Sequence, residues 1–344
     1  MRADHAGAPS GERGADTPVV AVLLAWAITA LLMLLATRGN IGPAAFLDGD
    51  DALRLQQVRD LLGGQGWFDL HQYRIAPPEG VAMHWTRIVD VPVAAVILFF
   101  RLFIGQAQAE VIAISVVPLL CLACAMLPAA RLAAHQFGAR AGVIAALMVV
   151  AAVPASFRMM PMRIDHHAWQ FVLALVALNG MAVRLPRVGA TVAGLALALA
   201  LAISLESLPL AVVFAGVCVV RMLRGQREWL GAFMASLALA SAVLFVLTRG
   251  LSDFADHCDA VSPVHVLVLL WGAGCCVLLL PRLAHRPPGL SLVALGFIGM
   301  GAIAVMAARA PQCVGPDAFS ALDPLVKRVW LGAVSEGLPV WRQG

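Results

Sequence analysis

Charge is what this chain has least of. Of its 344 residues only 13% are Asp, Glu, Lys or Arg, while 61% are hydrophobic. A soluble domain is about a quarter charged and about half apolar, so a water-soluble globular protein is excluded. The net charge is only +4, and no nucleic acid partner is expected. The seven cysteines show no metal-finger spacing. Cys121, Cys124, Cys218, Cys275 and Cys276 fall inside apolar runs, where a thiol behaves as a small hydrophobe. No small-residue cleavage site follows the first apolar run, which is therefore read as a retained span.

What is present is a series of long apolar runs, which predicts a polytopic membrane protein. Its backbone polar groups must be satisfied within the bilayer, so helices are the expected spanning element and the fold class is all-α. Residues 1–18 are polar and rich in Gly, Ala and Asp, and are read as a disordered tail. Nine spans are expected, at Val19–Thr37, Glu110–Leu132, Ala141–Phe157, Ala168–Val183, Val188–Ser204, Pro209–Val220, Trp229–Leu247, Val264–Leu280 and Leu290–Ala308. Together they make a transmembrane domain over 19–308. It includes a long first external loop, 38–108, and is followed by an external C-terminal segment, 309–344. In that first loop Gly49–Asp60 reads as an amphipathic helix opened by acids. Val91–Gly105 is apolar but interrupted by Arg101. It falls short of the roughly 20 residues a crossing needs, and is placed along the membrane surface, with Trp85 as an interfacial anchor.

Basic residues collect at Arg131–Arg140, Arg184–Arg187, Arg221–Arg227 and Arg282–Arg286. These are alternate connections, which marks them as cytoplasmic. The opposite face then carries 38–90, the stretch at Asp165, the turn at Glu206, Ser252–Ser262 and the C-terminal segment. Cys258 and Cys313 share that outer, oxidising side and are a candidate disulfide.

Asp165-His166-His167 stands at the mouth of a predicted span. Ionisable groups at a membrane boundary are costly and are functional candidates by default. An Asp with a His two residues on can aim an oxygen and a nitrogen at one divalent cation. The plain alternative is that Asp165 caps the following helix and the histidines sit among headgroups. On the same side lie Asp48, Asp50 and Asp51, and Glu336 within Trp330–Trp341. Acids from three segments could meet around one Mg²⁺ or Mn²⁺. Such a cation beside a membrane suits a reaction whose leaving group is a lipid phosphate. The alternatives are capping of 52–62 by Asp50 and Asp51, and a solvated loop acid at Glu336.

With these residues in view, the chain resembles the catalytic subunit of oligosaccharyltransferases, within the GT-C class of membrane glycosyltransferases. Asp50-Asp51-Ala52-Leu53-Arg54-Leu55 resembles the family's first acidic motif, and the amphipathic helices after it resemble that loop's surface helices. Asp165-His166-His167 resembles the second acidic motif, Asp-x-Glu in some members and Asp-His-His in archaeal ones. Val334-Ser335-Glu336 followed by Pro339 resembles the Ser-Val-Ser-Glu or Thr-Ile-x-Glu motif of the fifth external loop.

The resemblance implies a GT-C-like helical bundle. It implies that Asp51, or Asp50 if the register slips by one, binds metal and helps hold the acceptor. Asp165 and His167 would complete a Mn²⁺ or Mg²⁺ site, and Glu336 would position the acceptor nucleophile. The donor would be a sugar or oligosaccharide on polyprenyl phosphate or pyrophosphate, with His84, Arg87, His166 and Glu206 as candidates near the donor phosphate. Localisation would be a bacterial inner membrane, with the active face periplasmic.

The family has thirteen spans and then usually a soluble domain with a Trp-Trp-Asp motif, and no Trp-Trp-Asp occurs here. The expectation is therefore a truncated product, a chain completed by a partner polypeptide that supplies the missing spans, or an abbreviated relative with another acceptor. Two other classes remain open. One is a lipid-linked sugar transporter, although transporter sites lie at the midplane and these charges gather at one face. The other is an inactive relative serving as a subunit.

Overall fold

A computed structural model describes residues 16–75, 77–251, 254–283 and 286–314, together with 324–326 and 328. The tail expected to be disordered lies largely outside the described residues. So does most of the C-terminal segment, Glu336 included.

The chain is almost wholly helical. The first helix, α1 (Val19–Ile41), is followed by α2 (Gly49–Leu62) and a two-stranded antiparallel ribbon of β1 (His71–Gln72) and β2 (Val81–Ala82). Next come α3 (Asp90–Phe100), α4 (Gln106–Phe137), α5 (Ala139–Ala151), α6 (Val153–Phe157) and α7 (His167–Met181). Then follow α8 (Pro186–Ile203), a 3₁₀ turn over Leu205–Ser207, α9 (Leu208–Leu223), α10 (Glu228–Arg249), α11 (Pro263–Leu278) and α12 (Pro288–Arg309). Among the described residues, seven helical segments are long and apolar enough to cross a membrane: α1, α4, α8, α9 with its 3₁₀ turn, α10, α11 and α12. The other two of the nine expected spans fall on α5 and α7, which have 13 and 15 residues and are not among these seven.

The third expected span needs correction. The span expected over Ala141–Phe157 is not one helix. It stops at Ala151 and restarts as α6, because Pro154 has no N–H to offer the carbonyl four residues back. α3 is 11 residues long and buries Val93, Ala94 and Ile97 in a cluster shared with α2 and α4. The structure also joins Cys258 to Cys313 in a disulfide, which ties the segment before α11 to the end of α12.

The packing centre is α8, whose Ala- and Gly-rich sequence lets neighbours approach closely. A Cβ on Gly194 would strike Ser236 Oγ and come within 2.7 Å of the Phe233 carbonyl of α10. A Cβ on Gly180 would lie 2.8 Å from the Gly189 carbonyl. Close backbone approach through small residues is the usual basis of helix association in lipid, where no hydrophobic drive separates one apolar surface from another.

The segment between α1 and α4 is organised by buried charge. Arg54 is fully buried, 3.1 Å from the Asp90 carboxylate, with its guanidinium 4.5 Å from the Trp85 ring centre. Trp85 is itself buried and donates its ring N–H to Gln57 Oε1 at 2.6 Å. It is a core residue and not the interfacial anchor expected for it. Thr86 Oγ1 donates to the Ala202 carbonyl at 2.8 Å, and Trp67 Nε1 to the Leu247 carbonyl at 2.7 Å. These bonds lock the segment onto the ends of α8 and α10.

Candidate active site

The loop that carries Asp165 is held from two directions. Pro118 lies inside α4 and cannot donate to the Ile114 carbonyl, one turn earlier. That freed carbonyl accepts from the Met162 N–H at 2.7 Å, so a proline inside the long helix creates the docking point for the loop. Met162 sits at φ 73°, left-handed for a non-glycine residue. Such backbone persists only where its surroundings over-determine it. From the other direction, Asp51 Oδ1 accepts from the N–H groups of Ile164 and Asp165, at 2.8 and 2.9 Å. Asp51 Oδ2 lies 2.8 Å from Arg163 Nη1, and Arg163 Nη2 lies 3.1 Å from Asp48 Oδ2. Burial pushes the Asp51 carboxyl up to about 7, against the pull of Arg163.

Neither capping alternative describes these acids. The N-cap of α2 is Asp48, which accepts from Asp50 N–H, and the residue at the N-cap of α7 is His166. Asp165 instead divides its two oxygens. Oδ1 accepts from the His166 backbone N–H at 2.6 Å and meets the His166 ring at Nδ1. The other ring nitrogen of His166 lies 3.2 Å from Glu206 Oε2. Burial alone would raise the Asp165 carboxyl, but the hydrogen-bonded His166 overrides it and holds it well below the usual range. Burial would likewise lower His166, but its bonds to Asp165 and Glu206 prevail and raise it to about 9. Both ring nitrogens of His166 thus face carboxylate oxygens.

Asp165 Oδ2 is different. It is buried, has no hydrogen-bond partner, and lies 3.2 Å from His167 Nε2. Gln170 Nε2 donates to Ser207 Oγ at 3.1 Å, so Gln170 Oε1 faces His167 Nδ1 at 3.3 Å. A proton on Nδ1 would leave Nε2 a lone pair for a cation shared with Asp165 Oδ2. Asp165 Oδ2 and His167 Nε2, 3.2 Å apart, are close enough to share one cation. The ligand atoms of Asp165, His166 and His167 lie within 4.8 Å of one another. The residues thus fit a divalent ion, and one carboxylate oxygen with one imidazole nitrogen suits Mn²⁺ better than Mg²⁺.

The structure brings some candidates together and sets others apart. Glu206 reaches His166 and also lies 3.7 Å from His167 Nδ1. The His84 ring lies tilted against that of Trp85, which is 5.9 Å from the His166 ring, and burial lowers the His84 pKa. Asp50 is exposed at the rim, its pKa raised by partial desolvation and by the Asp165 and Asp48 carboxylates. Asp51 is committed to the loop backbone and to Arg163. Arg87 is not at the site. Its guanidinium is buried, donates to the carbonyls of Trp67, Gln57 and Asp69, and lies 3.5 Å from Asp90. Sequence reasoning missed Arg163 and Gln170. The signal for Gln170 was its place three residues after His167 on the same helix face.

Fold and site together define a multi-pass helical membrane protein with an Asp-His pair at the mouth of a short helix. More particularly, the chain is similar to the archaeal oligosaccharyltransferase AglB from Archaeoglobus fulgidus, solved in complex with an inhibitory peptide and a dolichol-phosphate. That likeness has 19% sequence identity and a TM-score of 0.58, and covers 87% of this chain and 40% of that one. The apo form of the Archaeoglobus fulgidus oligosaccharyltransferase is similar at 18% identity and a TM-score of 0.61, covering 90% of this chain and 40% of that one. The chain thus spans about two fifths of the length of these solved structures, and what is shared at such identity is the fold. No family model matches the sequence, and no curated protein does.

Proposed function

We propose that the chain is a metal-dependent membrane glycosyltransferase of the oligosaccharyltransferase type. It moves a sugar or oligosaccharide from a polyprenyl phosphate or pyrophosphate to an acceptor, at the periplasmic face of an inner membrane. The observation that carries this reading is the buried Asp165 Oδ2, which makes no hydrogen bond, 3.2 Å from His167 Nε2. The shared fold supports it, and so does the lipid phosphate bound by the archaeal protein.

In this reading Asp165 and His167 hold Mn²⁺ or Mg²⁺, and Asp50 at the rim would join them. The cation supplies positive charge for the phosphate oxygen that gains an electron pair as the bond to the anomeric carbon breaks. His166 does not ligate. Fixed at both ring nitrogens, it orients Asp165 and adds a second positive charge beside the donor phosphate. Asp51 and Arg163 hold the loop so that this geometry is present before the substrate arrives. Glu206, bonded to protonated His166, presents less net negative charge to a phosphate than its identity suggests. Glu336 would position the acceptor.

The test is calorimetric titration of the purified protein with Mn²⁺, for wild type and for Asp165→Asn, which keeps the shape and removes the charge. Micromolar binding in the wild type, lost in the variant, is expected. Equal binding in the two proteins, or none in either, would overturn the proposal.

A further inference from the structure

The end of the bundle away from Asp165 carries a second polar feature, which the transfer reaction does not use. α7 runs from His167 to Met181, and 15 residues of helix cover about 22 Å, so its last turn is far from the acids. There the α7–α8 turn and the α9–α10 turn enclose an open cavity of about 480 Å³. Its lining includes Arg184, Arg221, Arg224, Gln226 and Trp229, and no acidic side chain. A smaller hollow of about 180 Å³ shares Val183 and Arg184 with it and adds Arg131 and His135 from α4.

Among the described residues no acid pairs with the arginines that line this cavity. Arg221 is held in place. Its Nη2 donates to the Met181 carbonyl at 2.8 Å, and its guanidinium lies 3.9 Å from the Trp229 ring centre. Neither contact removes its charge. Arg184 and Arg224 are exposed and form no ion pair among the described residues. Glu228, the acid that opens α10, pairs with Arg187 at 3.2 Å, and neither lines the cavity. Two helices end here and two begin, so their dipoles oppose one another and the arginines set the preference. The volume falls in the usual range for a small-ligand site. Guanidinium forks match phosphate oxygens in geometry as well as charge.

We infer that this cavity binds a phosphate ester. Its location favours the headgroup of an anionic phospholipid. Basic pockets between membrane helices take such headgroups, and Trp229 is of the type that settles at the membrane interface. A free phosphate compound shares the same chemistry. The occupant is separate from the glycosyl donor, and the inference stands or falls independently of the Asp165 site.

Native mass spectrometry of the whole purified chain in detergent tests this, with phosphatidylglycerol, phosphatidylcholine and inorganic phosphate as probes. Three proteins are compared: wild type, Arg184→Gln/Arg224→Gln, and Arg187→Gln/Arg227→Gln. The last removes the same charge at the same end from residues that do not line the cavity. The wild type should retain phosphatidylglycerol over phosphatidylcholine. The cavity variant should lose that retention roughly tenfold or more, as expected for charge-assisted bonds, and the control should keep it. Displacement of the lipid by inorganic phosphate would keep the site and make a soluble phosphate compound its occupant; no displacement makes it a lipid site. Equal retention by the cavity variant, or equal loss in the control, would overturn the inference.

Discussion

Two arginine–carboxylate pairs of similar length stand at opposite ends of this bundle. Arg163 meets Asp51 at 2.8 Å, with side chains 4% and 0% exposed, whereas Arg187 meets Glu228 at 3.2 Å, with side chains 77% and 52% exposed. The distances barely differ, yet the physical situations do. At the Asp165 end water is excluded, so each charge needs a designated partner. The partners come from several chain segments, and the pair therefore fixes geometry. At the other end water and ions screen the charges, and the same chemistry fixes little. Preorganisation resides at the first end and adaptability at the second.

The largest effect expected from breaking this contrast comes from Arg163→Ala. Removing one partner of a buried pair leaves an uncompensated charge, and such losses run to about 3–5 kcal/mol. The lower part of that range is expected, because Asp51 can take up a proton and neutralise itself. Thermal unfolding of the purified variant measures it. The double variant Arg163→Ala/Asp51→Asn should recover part of the loss, since no charge is then stranded. Additive losses in the double variant would show that Arg163 acts by packing and not as the counter-charge of Asp51.

A smaller effect comes from the middle of the bundle, where no charge is involved. Gly194→Val places atoms where Ser236 Oγ and the Phe233 carbonyl already sit, and overpacking of this kind costs roughly 1–3 kcal/mol. The same unfolding measurement applies. A variant that melts with the wild type would mean that α8 and α10 separate easily, and that Asp165 is held by its own loop and not by the bundle behind it.

These pairs also show where the sequence was readable. Long apolar runs between basic connections marked α1, α4 and α8 to α12, because length and composition alone decide whether a helix suits a membrane. The acids after α1 marked α2. Asp165 and His167 stood out because charge at a span mouth is rare. The break after Ala151 lay in Pro154, a single residue easily lost in an apolar run. Trp85 and Arg87 read as interfacial or phosphate-facing groups, since nothing local shows that Gln57, Trp67 and Asp69 surround them. The division of labour between the two oxygens of Asp165 depends on Glu206, Gln170 and Ser207, which approach only once α7 and α8 pack. The freed carbonyl of Ile114 finds its donor at Met162, a pairing that no spacing rule anticipates.

The smallest effect should come from the exposed pair, and it is the sharpest check on the contrast. Glu228→Gln removes the partner of Arg187 without burying anything, and exposed pairs contribute roughly 0–1 kcal/mol. Its unfolding temperature should match the wild type at moderate salt, with any difference vanishing as salt rises and screening shortens the reach of both charges. A loss as large as that of Arg163→Ala would mean that the arginine-rich end is as rigid as the acidic one. The cavity there would then be a fixed recess and not an adaptable surface. Glu228 also stands beside the arginines at this end, so its neutralisation should leave retention of an anionic lipid unchanged or strengthen it slightly. The opposite sign would show that Glu228 helps hold Arg187 for binding, and would extend the site beyond the residues that line the cavity.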